Sequence, residues 1–203
     1  MYKRQSENFA GGAGGTVTVS TQEATFLAGG QITTIAGSQA IANGGNIHVN
    51  ANSMTAENSL PFNGSVPSGV VSYTLGQGNG GSLTISTDTL SLIDGGLLSS
   101  WTQGSGRGGE MIVNAGSIAA EGVNPRFPIA DAGILSITLG AGNSGNMEVS
   151  TANLTLDRGA QISSRSLIEL LGISGPNAGT GNAGNVSVNA DTIELTGLSL
   201  IHI

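Results

Sequence analysis

One motif recurs six times along the chain and constrains its fold more than any other feature. Its form is Gly-x-x-Gly-x-h-x-h, where h is apolar. It reads Gly12-Ala13-Gly14-Gly15-Thr16-Val17-Thr18-Val19, then Ala42-Asn43-Gly44-Gly45-Asn46-Ile47-His48-Val49. Gly78-Asn79-Gly80-Gly81-Ser82-Leu83-Thr84-Ile85 and Gly106-Arg107-Gly108-Gly109-Glu110-Met111-Ile112-Val113 follow. The last two are Gly142-Asn143-Ser144-Gly145-Asn146-Met147-Glu148-Val149 and Gly181-Asn182-Ala183-Gly184-Asn185-Val186-Ser187-Val188. Copies start at 12, 42, 78, 106, 142 and 181. A period near 30 residues, repeated this often, is the mark of a solenoid or array.

Each copy continues in register. Ser20, Asn50, Ser86, Asn114, Ser150 or Asn189 comes next, then always a small residue: Thr21, Ala51, Thr87, Ala115, Thr151 or Ala190. A second alternating pair follows: Ala24/Phe26, Met54/Ala56, Leu90/Leu92, Ile118/Ala120, Leu154/Leu156 and Ile193/Leu195. Most units add a third short strand, such as Gln31–Thr34, Leu97–Ser100, Gln161–Ser164, Val71–Leu75 or Leu135–Leu139. The unit is thus three short strands of period two, separated by small or Asx-rich turns. Such strands cannot bury an apolar face alone. Stacked about 4.8 Å apart, they make three parallel sheets around one core. The expected fold is all-β: a right-handed parallel β-helix of about six coils, the hand favoured by parallel crossovers. A propeller blade needs four strands in roughly 40–45 residues, and helical repeats need a 3.6 period.

Insertions fall at the turns: Leu60–Gly69, Val123–Gly133 and a later one at Leu167–Gly179. They are expected to be tolerated surface loops, and loops on one face are also where solenoids bind.

Composition narrows the function. Gly, Ser, Thr and Asn supply 93 of the 203 residues, and charged residues only 9%. A net charge of −7 argues against nucleic acid. The lack of Cys removes disulfide scaffolds and Cys-based zinc sites. No apolar run reaches the roughly 18 residues of a membrane span.

The two ends are set apart. Met1-Tyr2-Lys3-Arg4-Gln5 is the translation of GTG TAT AAG AGA CAG read from a start codon, and Leu198-Ser199-Leu200-Ile201-His202-Ile203 that of CTG TCT CTT ATA CAC ATC. These strings are complementary ends of a transposase adapter used in sequencing libraries. Residues 1–5 and 198–203 are therefore expected to be adapter-derived, leaving 6–197 as a single β-helix repeat domain and a fragment of a longer protein. That segment keeps four Arg against 13 acids, a formal charge of −9.

Segments such as Gly181–Val188 and Asp157-Arg158-Gly159-Ala160-Gln161-Ile162-Ser163-Ser164 resemble the repeats of filamentous-haemagglutinin-like exoproteins of Gram-negative bacteria. The resemblance covers nearly all of 11–197. It implies a secreted, extracellular, cell-surface β-helical shaft, exported by an outer-membrane two-partner-secretion transporter. Members of that family are adhesins, surface fibres and toxin-delivery stalks, so a cell-surface or glycan ligand is implied too.

Candidate chemistry is sparse. The Gly-rich runs precede strands and lack a following Lys, so they are neither P-loops nor Rossmann turns. Their glycines are expected at turns of positive φ or tight coil stacking. The Asp position of calcium-binding β-rolls holds Val17 or Leu83. A row of acids, Glu57, Asp94, Glu121 and Asp157, follows the second strand; as a column it would bind a divalent cation weakly, but solvated turn acids are the plainer reading. His48, between Ile47 and Val49, is expected to point outward. Arg107 and Glu110 share a turn and are candidates to pair, while Arg126, Arg158 and Arg165 complete the bases. The Asn50/Asn114/Asn189 and Ser20/Ser86/Ser150 column is expected to hydrogen-bond as a structural ladder. Outward strand positions are mostly Ser, Thr and Asn. Trp101 is the only Trp, which disfavours carbohydrate stacking. No catalytic, cofactor-binding or metal residue is assigned. The expectation is a non-enzymatic shaft segment; the alternative is a glycan-binding or glycan-cleaving β-helix, as a lyase or hydrolase.

Overall fold

A computed structural model describes residues 3–8, 11–57, 66–124, 131–167 and 179–202. The central parts of all three insertions, with Arg126, lie outside the described residues.

Among the described residues six long strands carry the repeat: β2 (Val17–Leu27), β4 (Ile47–Glu57), β6 (Leu83–Ile93), β8 (Met111–Glu121), β10 (Met147–Asp157) and β12 (Val186–Leu195). Seven short ones alternate with them: β1 (Lys3–Asn8), β3 (Gln31–Ala36), β5 (Ser68–Thr74), β7 (Gly96–Thr102), β9 (Gly133–Thr138), β11 (Gln161–Ser166) and β13 (Leu200–His202). The long strands form one six-stranded sheet and the short ones a seven-stranded sheet, each in chain order. Every pairing is parallel. The architecture is therefore a stacked parallel solenoid with two sheets.

Two sheets, where the turn pattern predicted three, is a correction with a simple cause. The small residues between the first and second apolar pairs do not end the strand. Asn52, Asp88, Gly116 and Ala152 are skipped in the pairing, yet the ladder resumes on either side in the same register. Each long strand is thus two short ones joined at a bend.

Inside, identical positions stack. Ile47, Leu83, Met111 and Met147 make one column and Met54, Leu90, Ile118 and Leu154 another, all 2% exposed or less. Ile32, Val70, Leu98, Ile134 and Ile162 face them from the seven-stranded sheet. Val17, Val19, Val186 and Val188 pack on this core at its ends, half-buried. Ile193 and Leu195 keep the register of Leu154 and Leu156, but β12 is an edge strand and they stay 49% and 44% exposed.

The seven-stranded sheet departs from the expected polar exterior. The outward residues of β5, β7 and β9 are buried as well, Tyr73 only partly, and Val71, Leu97, Trp101, Leu135, Ile137 and Leu139 form a second cluster there. A sheet buried on both faces reads as a continuous run and not as an alternation.

The repeat glycines serve close approach. Gly15, Gly45, Gly81, Gly109, Gly145 and Gly184 stack in one column. From Gly45 onward, a Cβ on each would overlap the carbonyl of the one before. The positive-φ turn lies at the other corner, at Ala28-Gly29, Asp94-Gly95 and Arg158-Gly159. Two of these turns close through Gly30 N–H to Leu27 O (2.9 Å) and Ala160 N–H to Asp157 O (3.1 Å). Two successive positive φ values are the signature of a type I′ turn.

Residues 3–5 and 200–202, set apart on sequence grounds, extend the edges of the short-strand sheet, opposite β3 and β11. A parallel ladder bonds backbone to backbone, so an open edge accepts a strand of almost any sequence.

Candidate functional site

At the bend of the long strands the outer surface carries a shallow, open depression. An open groove of about 500 Å³ crosses four coils there, lined by Asn50–Asn52, Ser86–Asp88, Asn114, Ala115, Ser150 and Thr151. The residues alternate from coil to coil. Ser20, Asn50, Ser86, Asn114, Ser150 and Asn189 stack in register, and beside them Thr21, Ala51, Thr87, Ala115, Thr151 and Ala190. Coils with Ser-Thr thus alternate with coils carrying Asn-Ala.

The threonines are fixed by the bend. The Thr87 hydroxyl lies 3.2 Å from the Asn52 carbonyl oxygen on the neighbouring coil and 3.0 Å from that of Thr89. Thr151 repeats this with Gly116 (3.3 Å) and Asn153 (3.1 Å). These bonds satisfy carbonyls that the skipped residue takes out of the ladder.

The Asn/Ser column was expected to be a hydrogen-bonded ladder. It is in register, but no hydrogen bond joins its side chains. The amide ladder lies at the glycine corner instead. Asn43 accepts from Asn79 N–H (3.1 Å), Asn79 from Arg107 N–H (2.9 Å) and Asn143 from Asn182 N–H (2.9 Å). Asn46 and Asn146 do the same one turn later, from Ser82 (2.9 Å) and Asn185 (3.2 Å). The signal was present in the sequence, as the Asn that follows the first or the fourth residue of the motif.

The turn acids come together at the positive-φ corner. Glu57, Ile93, Glu121 and Asp157 share one column, with Asp94 a residue beyond. Their surroundings are those of an ion pair. The Arg158 guanidinium is 3.2 Å from the Glu121 carboxylate and 3.9 Å from that of Asp94. The Thr196 hydroxyl donates to Asp157 at 2.6 Å and holds its carboxyl below the usual range, helped by the Arg158 backbone. Among the described residues no group of three or more His, Asp or Glu is arranged to hold a metal ion.

The remaining candidates are dispersed. His48 is exposed between buried Ile47 and Val49. No ion pair joins Arg107 to Glu110; the Arg107 backbone is engaged with Asn79. Arg165 and Asp131, 34 positions apart in the chain, influence each other near the second insertion. Asp131 is only 7% exposed, and burial raises its pKa while the charge of Arg165 draws it back. Gln161 donates to it at 3.0 Å. Among the described residues no helix is long and apolar enough to cross a membrane.

No protein-family model, curated protein or solved structure matches the chain.

Proposed function

We propose that the chain is a non-catalytic shaft segment of a large bacterial exoprotein, secreted and displayed at the cell surface. In this reading it is a right-handed parallel β-helix of about six coils. An outer-membrane two-partner-secretion transporter exports the whole protein, which serves as an adhesin or surface fibre. The single observation that carries the reading is the column of glycines from Gly15 to Gly184, packed carbonyl against backbone from coil to coil. Contacts of that kind are built for uniform stacking, and a solenoid so built extends by repetition. The repeat wording supplies the likeness to filamentous-haemagglutinin-like proteins, and with it the export route and location.

The alternative, a glycan-cleaving β-helix, requires converging catalytic groups. Glycoside hydrolysis ordinarily uses two carboxylates roughly 5–10 Å apart. Asp88 is the one carboxylate lining the groove. The acids of the turn column face an arginine that lies 55% exposed on the surface.

The test is to incubate the purified chain with pectin, alginate and hyaluronan, with and without Ca²⁺. No products above a denatured control are expected; released unsaturated or reducing ends would overturn the shaft in favour of the enzyme. A second test is the assembled gene upstream of this segment, where a signal peptide and secretion domain are expected. A gene encoding neither refutes the export route.

A further inference from the structure

We propose that the groove at the bend of the long strands binds a neutral, linear, hydroxyl-rich polymer, a polysaccharide lying along the stack. The first ground is shape. The groove crosses four adjacent coils without interruption, from Asn50 on β4 to Ser150 on β10. At about 4.8 Å per coil it runs roughly 15 Å along the stack. That suits an extended chain of sugars and not a compact ligand.

The second ground is the use of amides. Asn43, Asn46, Asn79, Asn143 and Asn146 all spend their carbonyl oxygens on the next coil. Asn50, Asn52 and Asn114 line the groove and make no such bond, so each offers a full set of donors and acceptors to solvent. Sugar hydroxyls are donors and acceptors at once, and side-chain amides match them. The side chains of Thr87 and Thr151 between them are pre-positioned, because their hydroxyls are held by backbone carbonyls. A preformed wall lowers the ordering cost of binding.

The third ground is period. Asn-Ala and Ser-Thr coils alternate, so like groups recur every second coil, about 9.6 Å apart. An extended disaccharide is of comparable length, so a polymer of alternating residue orientation can repeat the same contacts at each step.

Charge selects among polymers. Asp88 is the groove's single ionisable group, and the chain carries −7 overall, which disfavours polyanions. No aromatic ring lines the groove, so binding rests on hydrogen bonds and is weak per sugar. Affinity therefore has to accumulate along the polymer.

Affinity electrophoresis of the full chain tests this, in gels containing a soluble neutral β-glucan or, in parallel, chondroitin sulfate. End-to-end association leaves the groove open and does not hide it. Retardation by the neutral polymer alone is expected, with dissociation constants for its oligosaccharides falling as length grows from two to about four sugars, the span of the groove, and levelling off beyond. The double variant Asn50→Ala/Asn114→Ala removes two exposed amides and should weaken binding about tenfold or more, at about 1 kcal/mol per hydrogen bond. Its unfolding midpoint should match the parent's. Equal binding by the double variant, no retardation by the neutral polymer, or preference for chondroitin sulfate each overturns the proposal and leaves the shaft reading standing.

Discussion

Gly145 lies against the carbonyl of Gly109 one coil away, with no room for a Cβ between them. The obstacle is backbone on backbone, so no side chain can swing aside. Gly145→Ala should therefore cost about 3 kcal/mol or more, at the upper end of overpacking penalties. Urea unfolding measures it. A loss under about 0.5 kcal/mol, the scale of a neutral surface change, means the coils are not stacked this tightly.

Leu154 is 1% exposed, in register between Ile118 and Ile193. Leu154→Ala is expected to destabilise by about 2–5 kcal/mol. Leu195→Ala, on the half-exposed edge, should cost clearly less. Equal losses would contradict the gradient of burial along the stack.

Arg158 adopts φ 51° and lies within ion-pair distance of two carboxylates, yet all three side chains are about half exposed. Solvent screening limits such a pair to about 0–1 kcal/mol. Arg158→Ala should lose no more than this, and the loss should fade in molar salt. A salt-independent loss of several kcal/mol would show that the corner is held by something other than charge.

Asp131 and Asp157 should titrate on opposite sides of the ordinary carboxylate value in a side-chain NMR titration. Burial raises Asp131, so its folded form holds a proton more tightly than the unfolded chain does. Its contribution favours folding at low pH and is lost as pH rises through the raised value. Asp157, depressed chiefly by the Thr196 hydroxyl, does the reverse: its contribution is present above the unfolded value and is lost as pH falls through the depressed one. Thr196→Val should move the Asp157 pKa upward and leave Asp131 in place. An unmoved Asp157 would remove the hydroxyl as the cause.

β2 and β12 are the outer strands of the six-stranded sheet, and Ile193 and Leu195 leave apolar surface at one of them. Open parallel edges template further pairing. The chain should associate end to end with rising concentration, and Ile193→Lys/Leu195→Lys should reduce it. Sedimentation velocity decides: a monomer at high concentration in the parent chain would count against the stacked fold.

The apolar columns were legible because period two is a backbone property: Val17 and Leu156 alike fall where alternation puts them. The strand count was less so. A small residue such as Ala51 looks like a turn, but whether the ladder breaks there depends on the coil above. The second core was missed for a related reason. Leu97, Leu98 and Trp101 read as one buried run, which does not reveal that both faces of β7 are covered. Arg158 was invisible as the partner of Glu121, since they sit 37 positions apart and meet only through register. The groove could not be read at all, because the bend that makes it arises from one skipped residue per strand.

The parallel ladders also decide how the molecule meets a pulling force. Strands lie across the stack, so tension along the axis opens hydrogen bonds one rung at a time, as in a zipper, and does not shear a whole strand at once. A coil near 30 residues adds about 4.8 Å to the folded length. Once peeled, the same residues span about 100 Å at roughly 3.4 Å each. Under load a stack of this kind would lengthen about twentyfold per coil, one coil at a time, and yield gradually where a sheared strand would give way at once.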